Sequence, residues 1–128
     1  MADQQAPQPP PSTETERRRH PRFPAYERVV GYLTAPRIPV RVRDVGLGGF
    51  SVETVDPIEP GVVQTVRFTT VDDWSAMLPA RSLHCRPSVA ADGTPRYATG
   101  FAFVDEAKSL RTVQHLIEQV TSIKMFES

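Results

Sequence analysis

Short segments in which apolar and polar residues alternate fill the middle of the chain, and they decide which folds are open to it. In 38–43, for example, Ile, Val and Val occupy every second position, as in a strand with one buried face. Glycine, proline and aspartate separate the segments, and Asp92-Gly93 is typical of a hairpin turn. The pattern predicts about six antiparallel strands in a barrel or sandwich. The segments are 26–33, 38–43, 50–55, 62–68, 81–86 and 97–104.

A helical pattern follows the last of these segments. Asp105 is a suitable helix N-cap, because its carboxylate can accept a hydrogen bond from the first helical turn. Apolar residues then recur at helical spacing. They are Leu110, Val113, Ile117 and Val120. We therefore expect one helix after the strands, covering an open edge or one end of the barrel.

Three side chains in the strand region carry specific expectations. Leu83 and Cys85 are two residues apart and share one strand face, and Cys85 is expected to be a small core residue. Trp74 lies beside two aspartates, and it either plugs a barrel end or docks a partner.

The chain of 128 residues is long enough for one domain with tails. Residues 1–13 contain four prolines with Gln, Ser and Thr, so they cannot bury a core and are predicted to be disordered. Neither a secretory signal nor an apolar run of membrane-spanning length is present in the sequence. A single cysteine excludes an internal disulfide, and a cytoplasmic location is expected.

Positive charge is concentrated in one part of a chain whose net charge is zero. Between Arg17 and Arg43 there are eight arginines, no lysine and one acid, a surplus of seven positive charges. The rest of the chain carries seven basic and fourteen acidic residues. This distribution predicts a local anion site and argues against a general affinity for polyanions. Arginine suits such a site because its planar fork binds phosphate and stacks on flat rings.

Two motifs lie in or beside this basic region. The first is the run Arg17-Arg18-Arg19-His20-Pro21-Arg22, in which the proline favours an extended arm before the first strand. The second is the connection Asp44–Gly49, with the sequence DVGLGG. Its three glycines allow close approach of backbone to a ligand, and its carboxylate can accept hydrogen bonds from a guanine edge.

Together these motifs resemble the PilZ domain family of cyclic di-GMP receptors. That family has an R-x-x-x-R motif on an N-terminal arm and a D/N-x-S-x-x-G motif between two strands some twenty residues later. Arg18 and Arg22 match the first motif, and Asp44 and Gly49 match the ends of the second. The resemblance implies a six-stranded antiparallel β-barrel with a C-terminal α-helix over residues 16–124. A disordered tail, 1–15, and a short C-terminal tail, 125–128, would flank it.

The resemblance also implies roles for these residues. Arg18 and Arg22 would clamp the phosphates and stack on the guanines, Asp44 would read a guanine edge, and Gly49 would permit the turn. In the family, the position of Arg17 influences whether one ligand or a stacked pair is bound, and an arginine there is compatible with a pair.

Gly46 departs from the family pattern, which usually has serine at this position. The missing hydroxyl predicts binding that is weaker but not abolished, because a water can replace part of a lost hydrogen bond. If so, Gly46→Ser should tighten binding.

The resemblance implies a receptor that signals to an effector protein in motility, surface or biofilm regulation. A PilZ-like adaptor that does not bind cyclic di-GMP is the alternative, supported by Gly46. A small nucleic-acid-binding barrel is a third reading, which the zero net charge disfavours.

No catalytic motif or metal-ligand spacing is evident, so we expect neither an enzyme nor a cofactor. The three histidines, His20, His84 and His115, are widely separated. Arg41 and Arg43 share a strand face and either extend the basic site or are solvated; the sequence leaves both readings open.

Overall fold

The computed structural model describes residues 20–121, in which the alternating segments form antiparallel strands. Arg17, Arg18 and both expected tails, 1–15 and 125–128, lie outside the described residues. The elements are β1 (Arg22–Pro24), β2 (Val29–Thr34), β3 (Arg37–Gly46), β4 (Gly49–Thr54), β5 (Val63–Thr70), β6 (Ser75–Val89), β7 (Pro95–Phe103) and α1 (Glu106–Thr121).

Strands β2 to β7 form a closed barrel. The hydrogen-bonded order runs β3-β2-β5-β6-β7-β4, and β4 also pairs with β3, which joins the two ends of the sheet. Every pair is antiparallel, so the predicted six-stranded antiparallel barrel is confirmed. The largest differences from the predicted bounds are in three strands. β2 begins at Val29, after a turn with Glu27 at φ 65°, and β6 extends well beyond 81–86 at both ends. β3 continues to Gly46, so the first half of the predicted Asp44–Gly49 connection is strand.

The short strand β1 was not predicted. It pairs with the end of β3, with Arg22 opposite Gly46 and Pro24 opposite Asp44. Along one edge β3 pairs with β4. Along its other edge it pairs first with β2 and then, near its end, with β1. Arg22, the last residue of the basic run, is therefore part of the sheet.

Aromatic side chains fill the barrel interior. The ring of Phe50 stacks on that of Phe101, with centroids 4.9 Å apart, and meets Phe68 edge to face at 5.0 Å. Alternating valines and leucines from the other strands surround these rings in one core. Burial of this apolar surface is the main force that holds the strands together.

Two bulges break the alternation. In β3 the register shifts between Val42 and Asp44, and in β6 it shifts between Ser82 and His84. The second bulge overturns the expectation that Leu83 and Cys85 share one face: Leu83 is 46% exposed on the outer wall, whereas Cys85, opposite buried Thr99, is partly buried. A bulge inserts one unpaired residue, so every position after it changes face relative to simple alternation.

The helix α1 packs against β1, β3 and β5 at one end of the barrel. Its N-cap is confirmed, because the backbone N–H of Lys108 donates to the Asp105 carboxylate at 3.1 Å. The inward face differs from the prediction by a small rotation, and Leu110 is exposed. The buried residues are Ser109, Val113, Leu116 and Val120.

The covered end is completed by side chains from outside the helix. Trp74 packs against the core, and its ring lies 4.5 Å from that of His115, so it helps to fill the barrel end. Arg28 Nη1 donates to the carbonyl of Val120 at 2.8 Å and so satisfies one free carbonyl of the last turn. Among residues 20–121 no helix has the length and apolarity needed to cross a membrane.

Candidate functional site

A cavity of about 320 Å³ opens on the outer wall of the barrel, where β1, β3, β4, β6 and β7 meet. Its residues come from both predicted motifs, from Arg43 beside the second motif, and from parts of β4, β6 and β7 that the sequence did not single out. They are Arg22, Arg43, Asp44, Ser51, Leu83, His84, Arg86, Ala98, Thr99 and Gly100.

Asp44 is the centre of the polar contacts in this cavity. Arg22 Nη1 donates to its Oδ1 at 2.7 Å, and the Ser51 hydroxyl donates to its Oδ2 at 2.9 Å. The side chains of Arg22 and Asp44 are 17% and 24% exposed, so the pair is shielded from most of the solvent. Short contacts between ionised groups of this kind fix both side chains in one geometry.

The two bulges direct consecutive side chains into the cavity. In β3, Val42 and Val45 point into the core, which leaves Arg43 and Asp44 together on the outer wall. In β6, Leu83 and His84 line the cavity in the same way after buried Ser82. Regular strands would have sent one residue of each pair into the core.

Small residues form the floor between the two bulged strands. Ala98 and Gly100 lie in β7, and the His84 ring lies beside Gly100, which has no side chain to occupy the space. The lining of the cavity contains three arginines, Arg22, Arg43 and Arg86, and one carboxylate, that of Asp44. The cavity therefore has a surplus of positive charge, together with flat guanidinium and imidazole surfaces on which a ring can stack.

The structure separates the two arginines that the sequence could not. Arg43 lines the cavity, and its Nε donates to the Tyr26 hydroxyl at 3.2 Å. Arg41 points elsewhere: it lies 3.8 Å from the Glu53 carboxylate and stacks on the Tyr26 ring at 4.5 Å. Arg43 thus extends the basic site, and Arg41 does not.

Gly46 is required by the contact between β1 and β3. A Cβ atom at this position would lie 2.5 Å from the Pro21 carbonyl oxygen and 2.7 Å from Cδ of Arg22. The space for a serine side chain is already occupied by the arm that carries Arg22. This geometry is an argument against the expectation that Gly46→Ser tightens binding, which stays a prediction.

The other glycines of the connection also serve packing within the protein. A Cβ atom at Gly49 would overlap the carbonyl oxygen of Phe101 in β7, and one at Gly48 would lie 3.2 Å from the Glu106 carboxylate. The glycines with left-handed φ in the described residues are Gly61 and Gly93, outside this connection. Gly46 and Gly49 lie beneath the site and are absent from its lining.

Several cavity residues were missed at the sequence level. His84 and Arg86 come from β6, far along the chain from either motif, and Ser51 lies in β4, two residues after the second motif. Only the pairing of strands brings all three into the cavity that Asp44 lines. Ser51 could have been noticed as the polar residue opposite Asp44 in a tight hairpin. Among residues 20–121 no group of three or more His, Cys, Asp or Glu side chains could hold a metal ion.

Comparisons with known proteins agree with this architecture. The family model for the PilZ domain matches residues 16–120. The PilZ domain of YcgR from Escherichia coli, solved with cyclic di-GMP, superposes with a TM-score of 0.70 at 16% identity, covering 88% of this chain and 99% of that one.

Two longer proteins share the fold. The complex of K. pneumonia MrkH with cyclic di-GMP gives a TM-score of 0.68 at 13% identity, covering 84% of this chain and 54% of MrkH. The Bacillus subtilis inhibitor of motility MotI/DgrA gives 0.55 at 14% identity, covering 80% and 50%. This chain therefore spans about half of each. A search of curated proteins found no match.

Proposed function

The chain belongs to the PilZ domain family, and from that premise we propose that it is a receptor for cyclic di-GMP. The observation that carries the proposal is the contact between one residue of each motif, since Arg22 and Asp44 are joined at 2.7 Å on the wall of an arginine-rich cavity. The structural relatives from E. coli and K. pneumonia were solved with this nucleotide.

In this proposal Asp44 reads the guanine edge without giving up its present partners. A carboxylate has about four lone-pair sites on two oxygens. Arg22 and Ser51 use one site on each oxygen. The remaining sites can accept the N1–H and N2–H groups of guanine, so the base binds to a carboxylate that is already oriented.

The arginines provide phosphate binding and stacking. Arg22 clamps a phosphate or stacks on guanine, and Arg43 and Arg86 add charge from either side of the cavity. Arg18 and Arg17, which precede β1, are proposed to close over the ligand from the arm. The third arginine, Arg17, is compatible with the binding of a stacked pair of ligands, as the family pattern suggests. Ordering of this arm is the change that a partner protein would sense.

Ser51 is proposed to replace the motif serine that Gly46 lacks. Its hydroxyl supports Asp44 from the neighbouring strand, at 2.9 Å, instead of from the same connection. In this proposal the glycine at position 46 reflects the close packing of Pro21 and Arg22 against β3. It is then no longer an argument for an adaptor that does not bind cyclic di-GMP. We also propose that the cavity is not catalytic, because the Ser51 hydroxyl donates to Asp44 and no hydrogen bond links it to His84 among the described residues.

Calorimetric titration with cyclic di-GMP tests this function. Arg22→Ala and Arg18→Ala should each weaken binding about ten- to a hundred-fold, the value of a hydrogen bond to a charged group. Arg111→Ala, which removes an exposed arginine from α1, is the matched control and should bind normally. Ser51→Ala should weaken binding less than Arg22→Ala.

Two outcomes would refute the receptor. Absence of heat from the intact protein at high micromolar nucleotide would leave the adaptor as the better description. Tight binding of an oligonucleotide with a steep salt dependence would favour a nucleic-acid-binding barrel. The effector pathway, in motility, surface or biofilm control, and the cytoplasmic location remain parts of the proposal.

A further inference from the structure

A second cavity, of about 360 Å³, lies on the outer wall formed by β2, β5 and the first half of β6. Strand pairing sets Tyr32 beside Arg67 and Arg67 beside Met77, so three large side chains form one row across the wall. We call this surface the β2–β5–β6 face; its residues are Tyr32, Thr34, Arg37, Arg67, Thr69 and Met77.

Two arginines, Arg37 and Arg67, give the face its positive charge. Arg37 lies over the Tyr32 ring at 4.5 Å, which holds its guanidinium in place while its N–H groups stay exposed. Within the described residues neither Arg37 nor Arg67 has a carboxylate at ion-pair distance. Strands β2 and β5 and residues 75–81 contain no Asp or Glu at all.

Apolar groups are exposed among these charges. Met77 is 61% exposed and Val30, at the edge of the face, is 53% exposed. Arginine, tyrosine and methionine are the side chains enriched where proteins bind one another. The residues thus combine unpaired cations with apolar anchors.

We propose that the β2–β5–β6 face docks an acidic, partly apolar segment of a partner protein. Charge complementarity selects the acid, and Met77 and Val30 select the apolar side chains. The barrel is closed, so the segment binds through side chains and cannot add a strand to β2, β5 or β6, each of which has two neighbours. The inference does not depend on nucleotide binding.

Two other occupants fit less well. Residues 1–19 carry three acids and three arginines, so they offer no net negative charge to this face. A nucleic acid would meet only two unpaired arginines together with exposed methionine and valine, whereas phosphate backbones call for a broader basic surface.

The test is a titration of ¹⁵N-labelled full-length protein with a short synthetic peptide in which Asp and Glu flank leucines. We expect shifts of the amide signals of Tyr32, Arg67 and Met77, and at least about tenfold weaker binding of a counterpart with Asn and Gln. The double variant Arg37→Gln/Arg67→Gln should lose the peptide to a similar extent. Its affinity for cyclic di-GMP should stay unchanged.

Arg111→Gln is the matched control and should bind the peptide normally. Equal binding of the charged and uncharged peptides, shifts confined to the first cavity, or stronger binding of duplex DNA than of the peptide at this face would overturn the inference. A protein that binds the peptide but not cyclic di-GMP would refute the proposed function alone.

Discussion

The two cavities lie on different parts of the outer surface of the same barrel, and they are built in different ways. Around the first, two bulges bring consecutive residues to the same side, and the side chains of Arg22 and Ser51 converge on Asp44. Around the second, β2 and β5 alternate regularly, and Arg37 and Arg67 have no acid to converge on. Convergent groups suit a small ligand with several polar edges, whereas a row of spaced groups suits an extended segment. The bulges and glycines should therefore matter to the first cavity only.

The largest expected difference is in the free energy of unfolding when a methyl group is added at Gly49, near the first cavity, or at Gly31, near the second. In Gly49→Ala, the new methyl would overlap a backbone oxygen of β7, which cannot move without breaking the β4–β7 pairing. We expect a loss of about 3 kcal/mol in the free energy of unfolding, or failure to fold, from this overpacking. Urea denaturation measures it.

Gly31→Ala in β2 is the matched control for this change. Its Cβ would lie 2.9 Å from methyl groups of Val40 and Val42, which are side-chain atoms and not part of the backbone pairing. We expect a loss of about 1 kcal/mol, the scale of a displaced rotamer. Equal losses of unfolding free energy in the two variants would show that both positions tolerate an added methyl group equally well. That result would contradict the expected difference between the two cavities.

The next effect concerns the arm at the first cavity. Gly46→Ser should displace β1 from β3 and weaken cyclic di-GMP binding about tenfold, because overpacking costs about 1–3 kcal/mol. Peptide binding at the β2–β5–β6 face should not change. Gly46→Ala, which adds the Cβ without the hydroxyl, should behave like Gly46→Ser in calorimetry. Tighter binding by the serine variant, with weaker binding by the alanine variant, would instead restore the role of the missing hydroxyl.

The smallest effect distinguishes neighbouring arginines of β3. Arg43→Gln should weaken cyclic di-GMP binding about fivefold, near 1 kcal/mol, because it removes a charge from the cavity. Arg41→Gln should leave the affinity unchanged, since Arg41 is engaged with Glu53 and Tyr26. Comparable losses in the two variants would mean that the site extends past the Val42–Asp44 bulge.

Local patterns in the sequence were enough to predict the strands and the helix, whereas the choice of a barrel over a sandwich came from the family resemblance. Alternation in each segment identifies a strand, and Asp105 caps its helix through a contact only three residues away. The same patterns could not reveal β1, which has three residues and ends in proline. While β1 is unknown, glycine at position 46 is interpreted as the loss of the serine hydroxyl that the family motif usually has. The structure explains Gly46 instead by its contact with Pro21 and Arg22.

Only part of the candidate site could be predicted, because strand pairing over long sequence separations determines the rest. Asp44 and Arg22 belong to recognisable motifs, but His84 and Arg86 reach the cavity only through pairing of β6 with β7. A bulge has no clear signature in one sequence, so the expectation that Leu83 and Cys85 share one strand face was wrong. The contribution of Arg17 and Arg18 stays a prediction, since both lie outside the described residues.

The chain of contacts from Arg22 through Asp44 to Ser51 has a thermodynamic consequence for any ligand of the first cavity. These side chains lose their rotational freedom when the barrel folds, not when the ligand arrives. Immobilising a flexible side chain on binding opposes association by about 0.5–1.5 kcal/mol. The domain therefore offers a rigid, preorganised carboxylate and guanidinium, and the entropy lost on association is left mainly to the ligand and to whatever else must close over it.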